Sequence, residues 1–126
     1  MSQLYGRINS FVAGDKLEIR RFITNLIAPL DHVYFTVKER RSQADADAIV
    51  QKRITITLDD NVGQIIEAGD QDVTAEIVFV LLPEDTETLY NKIYRYDIKA
   101  FDTAGNPYHP ELGQIYGKRS VTAAQT

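Results

Sequence analysis

The 126-residue chain contains no cysteine and only two histidines, His32 and His109. Without cysteine, it can form no disulfide, no thiolate nucleophile and no zinc site of the cysteine type. A zinc site needs three or four good ligands, and two histidines far apart in the chain do not supply them. The seven glycines form neither a Gly-x-Gly-x-x-Gly pattern nor a phosphate loop. The sequence therefore predicts no metal site and no cofactor.

Long apolar runs and a basic stripe are also missing. The apolar run that starts at Ile77 is broken by Pro83, far short of the roughly 20 residues of a membrane span. The net charge is −4, which disfavours nucleic acid and anionic membrane surfaces as partners. The N-terminus lacks a charged segment followed by an apolar core, so we expect no signal peptide and a protein that stays in the cytosol of its producing cell.

Motifs for hydrolysis and for calcium binding are absent as well. No serine lies in the Gly-x-Ser-x-Gly pattern of a nucleophile elbow. Aspartates occur in pairs at 45/47, 59/60 and 70/72, but neither Asp45 nor Asp70 is followed by the glycine and glutamate of a calcium loop. Nothing in the sequence favours a carboxylate pair for glycoside hydrolysis, which depends on separation in space. We therefore predict no catalytic residue and a protein that is not an enzyme.

The chain does have the alternation of apolar and polar residues that is typical of half-buried antiparallel strands. Five runs show it, and Val, Ile, Thr, Tyr and Phe dominate them, as strands favour. Turn residues such as Gly, Asp, Asn and Pro separate the runs. The clearest runs lie at 16–23, 32–38, 54–58, 75–81 and 94–100. The whole pattern predicts an all-β fold, an Ig-like antiparallel β-sandwich of about seven to eight strands.

Three segments depart from this alternation. Residues 83–89 begin with proline and continue with acidic residues, which predicts one short helical turn. Residues 41–51 are polar and lack an apolar face, so we interpret them as a loop. Residues 1–13 hold apolar residues without a strict period and form either an edge strand or an arm that packs on another subunit. The expected organisation is thus an arm or edge strand at 1–13, the sandwich domain at 14–122 and a flexible tail at 123–126.

Two tyrosines near the start of a late strand, Tyr94 and Tyr96, predict a structural feature of Ig-like sandwiches. In such domains, a tyrosine at the start of the penultimate strand hydrogen-bonds back to the preceding corner. Tyr94 lies closer to the turn and is the better candidate, although either residue could make the corner. The alternative interpretation, a ligand-binding aromatic patch, stays open at this point.

Residues 79–106 carry a resemblance to a known class of domain. A strand ends in Leu-Leu-Pro-Glu-Asp-Thr, the next one begins Tyr-Arg-Tyr-Asp-Ile at Tyr94, and a turn with Gly105 and Asn106 follows. This arrangement resembles small Ig-like domains of tailed-phage and prophage structural proteins, and it is similar to the amino-terminal domain of phage baseplate upper proteins. Segments 14–19, 33–38 and 46–52 match the same pattern, so the resemblance covers about residues 14–122. It departs at 89–92, where family members often carry a glycine-containing turn.

The resemblance implies a structural component of a bacteriophage virion, in the tail, baseplate, neck or capsid surface, with no active site. Its partners would be other virion proteins and further copies of itself, and it would reside in the virion after synthesis in the host cytoplasm. Apolar residues on an uncovered arm or face would mediate such assembly. The second candidate segment for contacts is the loop at 42–51. The candidate interface residues on the arm are Leu4, Tyr5, Ile8, Phe11 and Val12.

Two other functions compete with this one. A carbohydrate- or receptor-binding β-sandwich module would need a shallow surface lined by aromatic side chains. Tyr34, Tyr108 and Tyr116 are predicted at outward or loop positions, and their clustering on one face would favour that function. An enzyme built on the same sandwich would need a deep pocket with two convergent carboxylates.

Overall fold

The computed structural model describes residues 4–40, 47–90 and 92–119, and within them the chain forms eight strands and one short helix. The alternation of apolar and polar residues predicted four of these strands, those at Leu17–Ile23, Leu30–Lys38, Ala75–Leu81 and Tyr94–Asp102. In chain order, the elements are β1 (Leu4–Ile8), β2 (Leu17–Ile23), β3 (Leu30–Lys38), β4 (Val50–Ile54), β5 (Gly63–Glu67), β6 (Ala75–Leu81), α1 (Pro83–Thr86), β7 (Tyr94–Asp102) and β8 (Pro107–Ile115).

The strands form two sheets that face each other. One sheet has five strands in the order β1-β8-β7-β3-β4, and the other has three in the order β2-β6-β5. β1 runs parallel to β8, and the other pairings among these eight strands are antiparallel. The order β2-β6-β5 therefore corresponds to strands B-E-D of an immunoglobulin domain. The order β8-β7-β3-β4 in the facing sheet corresponds to its strands G-F-C-C′. The chain is an all-β, Ig-like sandwich, as predicted.

The core lies between the two sheets and consists of the apolar residues at alternate strand positions. Val33, Phe35 and Val37 of β3 are fully buried, and Ile77 and Phe79 of β6 are fully buried opposite them. The rings of Phe35 and Phe79 meet across the sandwich with their centroids 5.4 Å apart. Each such side chain contributes roughly 1.5–3 kcal/mol by leaving water. Burial on one face only is what produces the period of two in the sequence.

The helical turn predicted at 83–89 is α1, which begins at Pro83 and covers the first part of that range. Proline suits the first helical position because its fixed φ is helical and its missing N–H has no partner there. The hydroxyl of Thr86 donates to the carbonyl oxygen of Asp15 at 2.6 Å, and Thr86 is fully buried. This contact ties the turn to the connection between β1 and β2.

The hairpin between β7 and β8 is organised by the Asp102 carboxylate. Its Oδ1 atom accepts the backbone N–H groups of Ala104 and Asn106, both at 2.9 Å. Gly105 has a φ of +86°, a left-handed conformation that glycine adopts without strain. The turn expected at Gly105 and Asn106 therefore forms as its residue types require, and it closes the hairpin between β7 and β8.

The strand predicted at 54–58 is wrong, because β4 ends at Ile54. Ile56 and Leu58 are 57% and 61% exposed. After Ile54 the chain leaves β3, and the carbonyl oxygen of Thr55 accepts the N–H of Ile65 in β5 instead. The predicted loop at 41–51 is shorter than expected, since Val50 already begins β4, and residues 41–46 lie outside the described residues.

The N-terminal segment is an edge strand rather than a free arm. β1 pairs with β8 along its whole length, from Leu4 opposite Glu111 to Ile8 opposite Ile115. The predicted tail at 123–126 lies outside the described residues. No helix in the described ranges is long and apolar enough to cross a membrane.

Candidate functional site

The five candidate interface residues of the arm do not form one exposed patch. Ile8 and Phe11 are only 9% and 6% exposed and belong to the core of their own domain. Val12 is partly buried and bridges to Lys118, whereas Tyr5 is 58% exposed. The side chain of Leu4 lies outside what the structure describes. The prediction that Ile8 and Phe11 are interface residues is therefore wrong, because the sandwich itself buries them.

The two tyrosines of β7 make different contacts. The hydroxyl of Tyr94 donates to the carbonyl oxygen of Thr88 at 3.0 Å, six residues earlier in the chain. This is the hydrogen bond that defines a tyrosine corner, and it lies at the connection from β6 in one sheet to β7 in the other. The hydroxyl of Tyr96 instead donates to the carboxylate of Glu111 in β8. Tyr94 therefore takes the corner position, and Tyr96 belongs to a polar network in the core.

That network joins Tyr96, Glu111 and Arg21 between the sheets. Glu111 is 3% exposed and receives two hydrogen bonds from Arg21, at 2.7 Å from Nε and 3.2 Å from Nη2. Burial raises the pKa of Tyr96, and the neighbouring Glu111 carboxylate raises it further. Burial alone would lower the pKa of Arg21, but Glu111 outweighs it and the pKa is raised. Tyr96 therefore stays protonated and Arg21 stays charged at neutral pH, which suits a structural tie between the two sheets.

A pair of glycines makes room for this network at the edge of the sheet. Gly6 of β1 lies opposite Gly113 of β8. A Cβ atom on Gly6 would lie 2.1 Å from the hydroxyl of Tyr96 and 2.6 Å from a carboxylate oxygen of Glu111. A Cβ atom on Gly113 would lie 2.1 Å from the carbonyl oxygen of Gly6. β1 can thus close over the network only because both positions lack a side chain.

The candidate functional site is on the other side of this sheet, where β3, β4, β7 and β8 present their second set of side chains to solvent. We call this surface the outer face. Its geometry follows from the strand register, which places Lys38 beside Arg95, Thr36 beside Asp97, Tyr34 beside Lys99 and His32 beside Phe101. Its members are His32, Tyr34, Thr36, Lys38, Gln51, Arg53, Arg95, Asp97, Lys99, Phe101, His109, Leu112 and Gln114.

One end of the outer face is aromatic. The rings of His32 and Phe101 stack with centroids 4.9 Å apart, and the ring of Tyr34 meets both of them edge-on at 5.5 and 6.4 Å. The ammonium group of Lys99 lies 5.3 Å above the ring of Phe101. His32 also contacts the carboxylate of Asp31, with Nδ1 2.7 Å from Oδ2. Packed rings next to a cation form a firm surface, which suits recognition of a flat apolar group.

The other end is cationic and contains a small hollow. It has a volume of about 250 Å³ and is lined by Thr36, Lys38, Arg95, Asp97, His109 and Leu112. A wider hollow of about 470 Å³ covers the aromatic end and shares Thr36, Asp97 and His109 with it. The two hollows are therefore parts of one shallow trough that runs along β3 and β7.

Arg95 has a feature that the other described residues lack. Its Nη1 atom is buried and has no hydrogen-bond partner, and it is the only such side-chain atom in residues 4–40, 47–90 and 92–119. Folded proteins rarely leave a buried donor unpaired, because doing so costs about 1–3 kcal/mol. A ligand oxygen in the hollow would satisfy this donor.

The charge of the outer face opposes that of the whole chain. Its strand positions hold four cations, Lys38, Arg53, Arg95 and Lys99, against the single acid Asp97. The formal net charge of the chain is −4. Sequence reasoning missed this surface because its charges come from three strands that are distant in the chain. Aromatic and basic residues do occur on the polar side of the two alternating runs at 32–38 and 94–100, and this pattern could have indicated the surface.

The three tyrosines proposed for a ligand-binding surface do not cluster. Tyr34 lies on the outer face, but Tyr108 is 4% exposed and points into the domain. Its hydroxyl donates to Asp102 at 2.7 Å and accepts the backbone N–H of Ile27 at 2.9 Å. Tyr116 is partly buried, and its hydroxyl accepts a hydrogen bond from Asn9 at 3.0 Å. The prediction that Tyr108 faces outward is wrong, since it fastens the β7–β8 hairpin to the β2–β3 connection.

The described part of the chain contains no group of three or more histidine, aspartate or glutamate side chains that could hold a metal ion. The outer face instead offers hydrogen-bond donors, cations and rings. Such a surface can bind and orient a ligand.

No family model matches the chain, and neither does any curated protein. Among solved structures, it is similar to one from a photo-crosslinking study of cell-adhesive interactions of VGSC beta subunits, with 11% identity, TM-score 0.43 and 92% of each chain covered. It is also similar to a bacterial immunoglobulin-like domain of the M. primoryensis ice-binding adhesin, with 15% identity, TM-score 0.41, and 90% of this chain and 85% of that chain covered.

A third similar structure is the sialic acid binding region of a Streptococcus sanguinis SK1 adhesin, with 13% identity and TM-score 0.45, covering 95% of this chain and 29% of that one. The assignment to the Ig-like sandwiches follows from the strand order given above.

Proposed function

We propose that this chain is a non-catalytic binding module of a tailed-phage particle and that it attaches to a neighbouring protein through its outer face. The observation that carries the binding function is the trough, in which packed rings lie beside the unpaired Nη1 donor of Arg95 on an otherwise acidic chain. The phage assignment is supported by the resemblance of residues 14–122 to Ig-like domains of phage structural proteins.

The physical argument for the outer face is a comparison with the other exposed sheet surface. On the three-stranded sheet, Phe22 is 63% exposed, but the charges beside it are already paired, since Arg20 forms an ion pair with Glu76. On the outer face, Arg95 keeps a buried donor without a partner. Interfaces are enriched in arginine and aromatic residues, and both occur together on the outer face.

The test is incorporation into particles. A phage genome that lacks the gene is complemented with tagged chain supplied by the host, and the purified particles are assayed by immunoblotting and quantitative mass spectrometry. We expect wild-type chain at a fixed copy number and at least a tenfold loss for Tyr34→Ser. Phe22→Ser, on the other sheet, is the matched control and should be incorporated like the wild type. Particles that lack the wild-type chain would refute the phage assignment.

A carbohydrate-binding module is the second candidate function. The observation that favours it is the partly exposed ring cluster of His32, Tyr34 and Phe101, because sugars stack on aromatic rings. A glycan array probed with purified chain separates the two functions. Binding of one glycan class that Tyr34→Ser abolishes, together with no incorporation into particles, would favour carbohydrate recognition.

A further inference from the structure

We infer that the hollow at Arg95 is a carboxylate subsite and that the trough takes an extended, acidic segment of a partner protein. This inference rests on the proposed function, since it names the chemistry of the partner that the outer face would bind. Three observations carry it, namely the unpaired donor, the excess of cations and the length of the trough.

The unpaired donor determines the type of ligand group. The Nη1 atom of Arg95 is buried without a partner, and the hydroxyl of Thr36 and the ring of His109 line the same hollow. A guanidinium binds a carboxylate through charge-assisted hydrogen bonds, which are shorter and stronger than neutral ones. An incoming carboxylate would gain this interaction without breaking an existing hydrogen bond of Nη1.

The charge of the surface supports the same ligand. The outer face carries Lys38, Arg53, Arg95 and Lys99 against Asp97, and the chain as a whole is acidic. A second acidic surface would be repelled by most of the molecule but attracted to this face. Such a pattern orients an acidic partner onto one surface before contact.

The length of the trough favours a peptide over a single sugar. The strand steps from Phe101 at the aromatic end to Arg95 at the cationic end number six, which corresponds to about 20 Å at 3.3 Å per residue. A monosaccharide ring is several times shorter and cannot reach both ends. Lys99, which pairs with Tyr34, lies four strand steps from Arg95, or about 13 Å at 3.3 Å per residue. An extended peptide with an apolar ring and a carboxylate four residues apart matches this distance and presents both groups on one face.

The experiment is a titration of the purified, isotope-labelled chain, followed by NMR. The probe is an eight-residue capped peptide of threonine and valine, with a tyrosine at its second position and a glutamate at its sixth. A peptide with glutamine in place of the glutamate is the ligand control, and sialyllactose supplies a carboxylate on a glycan. Arg95→Gln is the test variant, and Arg20→Gln is its matched control on the other sheet, where Arg20 pairs with Glu76.

We expect the glutamate peptide to shift the signals of the Arg95 side chain and of Thr36 and Asp97. Arg95→Gln and the glutamine peptide should each weaken binding by about ten- to a hundredfold, as loss of a charged hydrogen bond does. Arg20→Gln should leave binding unchanged. Sialyllactose binding at Arg95 in place of the peptide would overturn the peptide partner. Shifts that do not depend on Arg95, or no shifts with any probe, would overturn the subsite.

Particle incorporation separates failure of this inference from failure of the proposed function. If Tyr34→Ser is lost from particles and Arg95→Gln is retained, the binding face stands and the carboxylate subsite is refuted. If both variants are incorporated like the wild type, the outer face is not the attachment surface and the proposed function itself fails.

Discussion

Phe11→Ala tests whether the N-terminal segment stabilises its own domain or forms an interface with another subunit. The side chain is 6% exposed and packs on Gly117, where an added Cβ would lie 2.5 Å from the ring. Removing a buried phenylalanine side chain costs about 3–5 kcal/mol. With a urea slope of about 2 kcal/mol/M, the midpoint of unfolding should fall by about 1.5–2.5 M.

The assay is urea unfolding followed by circular dichroism, with the mass in solution measured by light scattering on the same samples. Tyr5→Ala is the control, because Tyr5 is on the same segment but 58% exposed, and it should change stability by less than about 0.5 kcal/mol. The reasoning is refuted if Phe11→Ala keeps the wild-type midpoint and instead changes the mass. The burial of Phe11 also predicts that removing residues 1–13 destabilises the domain. A change in mass after this truncation would therefore not be evidence about assembly alone.

Three further predictions concern the polar groups of the core. Tyr94→Phe removes the hydrogen bond to Thr88 and should cost about 1 kcal/mol in urea unfolding; an unchanged midpoint would exclude a stabilising corner. Glu111→Leu leaves Arg21 without its carboxylate and should lower the free energy of unfolding by about 3 kcal/mol, the low end for a broken buried pair because Arg21 is 32% exposed. Adding Arg21→Met should recover part of this loss, and a double variant whose loss equals the sum of the two single losses would contradict the coupling. Burial alone would raise the pKa of Asp102, but the hydrogen bonds to its carboxylate outweigh burial and lower the pKa. The ionised carboxylate therefore stabilises the fold above its unfolded pKa near 4, and this stabilisation is lost as the pH falls through the folded pKa. The difference in unfolding free energy between wild type and Asp102→Asn should be largest at pH 7 and smaller in acid, and a difference independent of pH would refute this.

The fold could be predicted because most strands bury one face and expose the other. β2, β3, β6 and β7 show this alternation clearly, and their positions were predicted to within a few residues. β4 was misplaced because its central inward position is Lys52, which breaks the apolar pattern. Lys52 is 8% exposed and lies 2.6 Å from the carboxylate of Asp85. No rule of periodicity can anticipate a buried lysine whose partner lies in a distant helical turn.

β1 was ambiguous for a related reason. Its inward positions include Gly6, which carries no side chain, and the facing positions of β8 include Glu111 and Gly113. The sequence of these strands therefore lacks the apolar stripe that marks a buried face. Only the pairing of β1 with β8 shows why a glycine and a glutamate are needed at the edge of the sandwich.

The outer face could not be predicted, because the sequence marks its residues only as the polar side of several strands. Their meaning depends on which of them the register brings together, and that register joins β3, β4, β7 and β8 across most of the chain. Tyr34 was singled out from the sequence, but its neighbours Lys99 and Phe101 were not. The two tyrosines grouped with it, Tyr108 and Tyr116, make hydrogen bonds to other parts of the domain.

Whether a polar group is already satisfied also separates the two outer surfaces as places for a ligand. A carboxylate that approaches Arg20 has to compete with Glu76, which already holds that guanidinium. A carboxylate that approaches Arg95 meets a buried donor with no partner, and the folded chain carries the cost of that unpaired donor until a ligand relieves it. Arg20 and Arg95 carry the same charge but differ as binding sites for a carboxylate. The free energy gained on binding is larger at Arg95, because there the fold has left a donor unpaired.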